Sequence, residues 1–269
     1  LFFSHTIKKQ EYNRKLLQTV LEKKVQLVDY EVLTNKDGFR IIGFGRFAGL
    51  VGAYNGFRAF GLREKLFELK PAHQCNDLVE MYYELDNIKL PPIKIAVTGD
   101  GRVSGGVLEV LNHLKIKRVS TDDFLKDDAP EKPEYVQLLP GNYTRRKDGA
   151  DFDLMHFFNH PEMYENAFQP FSKQSDLLIA AAYWDPKAPV LFTGNEMKQK
   201  DFKITVISDI TCDIEGSIPS TKKASTIDDP FYDFNPATGE LEPAFSSKEN
   251  ITVQAVDNLP CELPKDASL

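Results

Sequence analysis

The chain has 269 residues, 42% of them hydrophobic and 27% charged, with a formal net charge of −7. That is apolar material for one large domain or two ordinary ones, and the acidic balance excludes a nucleic-acid scaffold, since Lys8-Lys9, Lys23-Lys24, Arg145-Arg146-Lys147 and Lys222-Lys223 are short, scattered pairs and triplets. No run is apolar for long enough to span a membrane, and Cys75, Cys212 and Cys261 are too few and too far apart for a disulfide framework or a zinc site, so the cytoplasm or another reducing soluble compartment is expected.

Leu1-Phe-Phe-Ser-His5 opens without Met inside what reads as a buried strand, and the expectation is a fragment. A helix is predicted over 11–24, with Leu16, Leu17, Val20 and Leu21 forming a core-facing stripe. Strands are predicted over 26–31 and 39–44, with a turn at 35–38 between them. Residues 45–62 read as a helix linking two lobes. Its Gly45, Gly49, Gly52 and Gly56, three or four apart, fit equally the close passage of a ligand and the close packing of another helix. Another helix is predicted near 77–85.

Residues 94–111 carry the sharpest pattern. Ile95 and Val97 fit a buried strand, Gly99 and Gly101 a tight turn, and Val107, Leu108 and Leu111 one face of a helix. A helix N-terminus leaves N–H groups unpaired and partly positive, so a pyrophosphate can sit against it where glycine clears the approach. The pattern departs from G-x-G-x-x-G because Ser104 holds the third position. A second short strand is expected at 118–120, followed by Asp122 about where a ribose-binding acid belongs. A polar loop follows over 126–133, then short helical pieces over 153–158 and 161–168. Strands are expected over 175–184 and 202–209. Ligands bind beyond the C-terminal ends of such strands, which makes Tyr183, Trp184, Asp185 and the run Asp209 to Asp213 candidate site residues. The remainder suggests a hairpin or long connection. His73, His113, His156 and His160 have no metal-ligand spacing, so no metal is expected.

Several separated stretches share one order with a known family. They are residues 2–10, Val28-Asp-Tyr-Glu31, Gly38-Phe-Arg40, Phe44-Gly-Arg-Phe-Ala-Gly49, Thr98 to Gly106, Asp209 to Ile218, Thr226 to Phe231 and Asp257-Asn-Leu-Pro260. Together they resemble the lysine-forming saccharopine dehydrogenase and lysine–ketoglutarate reductase family, related to alanine dehydrogenase and transhydrogenase. The resemblance implies an α/β fold of two Rossmann-like lobes. A doubly wound, parallel-sheet, NAD(P)-binding domain over 46–213 would be inserted in an incomplete catalytic lobe made of 1–45 plus 214–269.

It also implies reversible oxidation of saccharopine to lysine and 2-oxoglutarate with NAD or NADP. His5 then matches the acid–base histidine. Gln10, Arg40 and Phe44 match substrate-side positions, and Tyr183, Trp184 and Asp185 border nicotinamide and substrate. Gly99, Gly101 and Arg102 match the pyrophosphate loop, Asp122 the ribose acid, and Asp213 a cofactor-adjacent loop. The catalytic lysine and an arginine that the family carries upstream have no counterpart here, which implies a crippled fragment. Ser120 stands where many NAD sites have their acid, and Arg102 would suit a 2′-phosphate, so NAD and NADP stay open. The expected partner is a small amino acid, with no nucleic acid or membrane; a homo-oligomer is compatible. An alanine-dehydrogenase-like activity and a non-catalytic nucleotide-binding module are the alternatives.

Overall fold

The computed structural model describes residues 4, 6, 11–38 and 40–268. The chain divides into two compact units, Leu1–Phe44 and Gly45–Leu269.

In the first unit a 3₁₀ turn at Glu11–Asn13 leads into α1 (Arg14–Glu22), as the helical spacing predicts. The apolar stripe is not core: Leu17 and Leu21 are 37% and 68% exposed. Neither predicted strand forms among the described residues. Tyr30–Val32 is a 3₁₀ turn, capped by the Asp29 carboxylate, which accepts from Glu31 N–H at 2.9 Å and from Ser4 Oγ. The turn at 35–38 is present, with Gly38 at φ +81° and its N–H on Asn35 O at 3.1 Å. Only the isolated Thr34–Arg40 bridge crosses it. Two short strands with no third neighbour gain too little burial to hold a sheet together.

The second unit opens with α2 (Gly45–Glu64) and α3 (Leu78–Asp86), then β1 (Lys94–Thr98), α4 (Arg102–His113), β2 (Lys117–Arg118), α5 (Thr121–Phe124) and β3 (Glu134–Leu138). An excursion follows through α6 (Pro140–Tyr143), β4 (Thr144–Arg146), α7 (Leu154–Asn159), β5 (Tyr164–Asn166) and α8 (Gln169–Ser172). The chain then continues as β6 (Leu177–Ala180), α9 (Gly194–Met197), β7 (Val206–Asp209), β8 (Phe231–Phe234), β9 (Leu241–Glu242), β10 (Ile251–Gln254) and α10 (Pro264–Ala267).

Eight strands form one sheet in the order β2-β3-β1-β6-β7-β10-β8-β9, while β4 and β5 pair separately. From β2 to β10 neighbours are parallel; β8 and β9 are antiparallel additions at the edge. Successive strand residues point to opposite faces, and two cores result. Ile95, Val97, Leu177 and Val206 meet α2, α3 and α4 on one face. Ala96, Val136, Leu178 and Ile207 meet Phe124, Phe168, Phe171 and Phe192 on the other. Among the described residues no helix is long and apolar enough to cross a membrane.

Residues 214–269 build onto the second unit's sheet: β10 is an interior strand beside β7 (Thr252↔Val206, Val253↔Ile207), and β8 and β9 extend the same sheet. The α2 helix packs in the second unit's core. Its glycines serve helix packing and strand contact. A Cβ on Gly49 would sit 1.9 Å from Val103 O, and one on Gly106 would sit 2.0 Å from Arg46 O. The two helices touch backbone to backbone, and at the rim Arg46 donates to both Glu109 carboxylate oxygens at 2.7 and 2.6 Å.

Candidate functional site

Because β1 has β3 on one side and β6 on the other, the connections diverge between β1 and β6, and a crevice opens beyond their C-terminal ends. Gly99 lies at this point with φ +97°, and a Cβ there would lie 3.0 Å from Ala181 O. Both its backbone groups are tied down. Its N–H donates to Leu138 O at 2.9 Å, and its carbonyl accepts from Ser104 Oγ at 2.7 Å and Gln137 Nε2 at 2.8 Å. The same Gln137 nitrogen reaches Ser104 Oγ at 3.2 Å. The buried Ser104 thus fastens the loop by its hydroxyl, where a third glycine would leave only space.

Gly101 is different. It is the N-cap of α4 without a side-chain cap, and a Cβ built on it would meet nothing within 4 Å. Protein packing does not require glycine there, whereas an incoming phosphate would. The uncapped first turn and the open approach fit a dinucleotide pyrophosphate, with Arg102 at the first helical position.

To one side, at the ends of β2 and β3, a cleft of about 480 Å³ is lined by Arg118, Ser120, Thr121, Gln137 and Asn142 among others. No lining residue is acidic. Asp122, expected at the ribose, lies exposed on α5 and does not line the cleft. The reason is topological. The strand beside β1 is β3, so the positions next to the loop are those after Leu138, and β2 is displaced to the sheet edge.

To the other side, Tyr183, Trp184 and Asp185 follow β6 and line a cavity of about 80 Å³ with Thr98, Tyr143 and Phe157. The last two come from the excursion after β3, a part that sequence reasoning saw only as short helical pieces. Phe157 is held edge-on against Tyr164, ring centroids 5.0 Å apart. Trp184 Nε1 donates to Pro189 O at 3.4 Å, and the Asp185 carboxylate caps Lys187 N–H at 2.8 Å.

Beyond β7 the loop carrying Asp213 has two non-glycine residues in the left-handed region, Cys212 at φ +53° and Glu215 at +56°. Burial raises the Asp213 carboxyl above the usual carboxylate range and pushes the Cys212 thiol up to about 12. Asp209, grouped with these by sequence, is a brace. It is 1% exposed and accepts from Thr221 Oγ1 at 2.6 Å and Thr211 Oγ1 at 2.7 Å.

Gly99, Gly101, Arg102, Tyr183, Trp184, Asp185 and Asp213 therefore share the C-terminal edge of one sheet. Arg40 and Phe44 belong to the first unit, where Arg40 donates to the buried Glu31 carboxylate at 3.0 Å. His5 and Gln10 lie outside the described residues. Sequence reasoning missed Gln137 and Asn142. The one available signal was a polar residue between the apolar Val136 and Leu138.

Over 99% of this chain, the alpha-aminoadipic semialdehyde synthase of Arabidopsis thaliana is 29% identical, and the mitochondrial enzyme of that name from Mus musculus is 28% identical. Along its whole length this chain is similar to the alpha-aminoadipic semialdehyde synthases. The mitochondrial Bos taurus protein adds a match at 26% identity. The chain covers only 28% of the Arabidopsis protein and 33% of the mouse one. An L-alanine dehydrogenase structure matches 95% of this chain and 58% of its own with a TM-score of 0.50 and 14% identity, a likeness of fold. No protein-family model matches.

Proposed function

We propose that this chain carries the nucleotide-binding part of an NAD(P)-dependent amino-acid oxidoreductase that acts on the C–N bond of saccharopine, interconverting it with lysine and 2-oxoglutarate. The observation that carries the reading is the open, uncapped α4 N-terminus at Gly101, placed at the β1–β6 divergence of a chain similar throughout to the semialdehyde synthases. When bound, the nicotinamide supplies a hydride acceptor or donor. This chain's residues hold and orient it. Gly99, Gly101 and Arg102 take the pyrophosphate, Asp213 borders the cofactor, and Tyr183, Trp184 and Asp185 border nicotinamide and substrate. His5 moves protons, while Gln10, Arg40 and Phe44 bind the substrate.

The lining of the cleft favours NADP. It offers Arg118, hydroxyls and two amides, and no carboxylate to repel a 2′-phosphate. A reducing compartment fits three unpaired cysteines; whether that is the cytoplasm or, as the mammalian relatives' names say of them, the mitochondrion is decided by fractionation. The activity test uses the protein as its own gene expresses it. NADPH oxidation should require lysine and 2-oxoglutarate together, run slower with NADH, and be lost in His5→Ala with NADPH binding retained. Turnover with pyruvate and ammonia instead would move the reading to an alanine-dehydrogenase-like activity. Binding without any turnover would favour a non-catalytic module.

A further inference from the structure

We infer that Gln137 is the residue that joins the pyrophosphate loop to the adenosine ribose: its amide nitrogen clamps the loop, and its amide oxygen accepts a hydrogen bond from a ribose hydroxyl. The inference rests on the dinucleotide reading above and deepens it.

The orientation of the amide follows from its partners. Gly99 O can only accept, so the group 2.8 Å from it is the NH₂, which also lies 3.2 Å from Ser104 Oγ. Ser104 Oγ in turn gives its own hydrogen to Gly99 O at 2.7 Å, leaving lone pairs to receive from Gln137. These three groups close a ring of donors and acceptors that allows one amide orientation. The Gly99 carbonyl is thereby held against Ser104 and Gln137, just before Gly101 and α4.

Oε1 is then the remaining half of the amide. It takes no partner in any hydrogen bond of the described residues, and Gln137 lines the cleft of about 480 Å³ beside the loop. This oxygen is an acceptor on a half-buried side chain, and a ribose hydroxyl is a donor of the right kind to replace water there. An adjacent-strand carboxylate would do the same in a site built for NAD. A neutral amide does it without repelling a 2′-phosphate. The same residue therefore sets loop geometry and tolerates both dinucleotides, and no residue at Asp122 is required. The competing role is that of a structural strap alone, in which Gln137 stabilises the turn and touches no ligand.

The test is dinucleotide affinity, read by the fluorescence of bound NADPH and NADH, with the thermal midpoint measured on each variant. Gln137→Ala should weaken NADPH and NADH by similar factors, roughly tenfold, with the midpoint lowered by only a few degrees. Gln137→Glu keeps an acceptor but cannot donate to Gly99 O and adds charge, so it should weaken NADPH several-fold more than NADH. Equal losses for both dinucleotides in Gln137→Glu, or an affinity in Gln137→Ala within twofold of wild type, would overturn the inference alone. Wild-type protein that binds neither dinucleotide would overturn the functional reading and this inference with it.

Discussion

Glu262 is a buried carboxylate of the second unit whose surroundings displace its titration. It is 2% exposed, accepts from Asn55 Nδ2 at 2.8 Å and lies 3.9 Å from His73 Nδ1, and Asn55 Oδ1, Arg58 Nε and His73 Nδ1 around it lack partners among the described residues. Burial, only partly offset by Asn55 and Arg58, pushes its carboxyl from 4.5 up to about 7. Folded protein thus binds more protons than unfolded protein between these values. Stability is full below about 4.5 and falls as pH rises through about 7, by about 3 kcal/mol at most. Glu262→Gln keeps the acceptor for Asn55 and removes the titration. In urea unfolding it should match wild type at pH 5 and exceed it at pH 8; a wild type that gains stability over that interval relative to the variant would contradict the assignment. Nothing in the local sequence marked Glu262, because its partners come from residues 55, 58 and 73, and burial across such separations leaves no local pattern.

At the scale of elements, the glycines of α2 and α4 separate two reasons for the same residue type. Gly49 and Gly106 lie at a backbone contact, where a methyl group overlaps a carbonyl oxygen of the facing helix. Gly49→Ala or Gly106→Ala should destabilise by about 1–3 kcal/mol, as overpacking does. Gly101→Ala faces open space and should leave stability within about 0.5 kcal/mol, since φ there is −81° and allowed. It should nevertheless weaken dinucleotide binding. Denaturant midpoints and fluorescence titration on the three variants separate the cases, and equal stability losses would remove the distinction. Spacing alone could not separate them, which is why the stripe at 45–56 was equally a ligand passage and a packing seam. By contrast β1, the turn at Gly99 and α4 were legible in full. Their signals are local: buried apolar residues of period two, a left-handed turn and a 3.6-residue stripe. In the first unit the period at Leu16, Leu17, Val20 and Leu21 gave the helix correctly but not its environment, which depends on what packs beside it.

At the scale of the molecule, strand order was the part least accessible to sequence, and it decides both where the proposed ribose site lies and how far the second unit extends. The sequence places a second short strand at 118–120 before the expected ribose acid Asp122, and the family resemblance assigns 214–269 to the catalytic lobe. In the structure β3 intervenes between β1 and β2, and β10 enters beside β7. Pairing over such separations is set by long-range burial, and the family likeness placed its motifs without placing their strands. The consequence is that residues 214–269 complete the fold of the second unit. Arg63 of α2, 9% exposed, donates to Thr252 Oγ1 at 2.9 Å and Asn250 O at 2.6 Å, and Thr221 caps Asp209. Removing 214–269 strips β7 of its parallel neighbour, exposes Ile207 and Val206, and leaves a buried guanidinium and a buried carboxylate short of partners. A chain ending at 213 should therefore show no cooperative thermal transition and should aggregate. If it stays monomeric and melts cooperatively within a few degrees of the whole chain, residues 46–213 are an autonomous domain after all, and the C-terminal strands are an accessory edge.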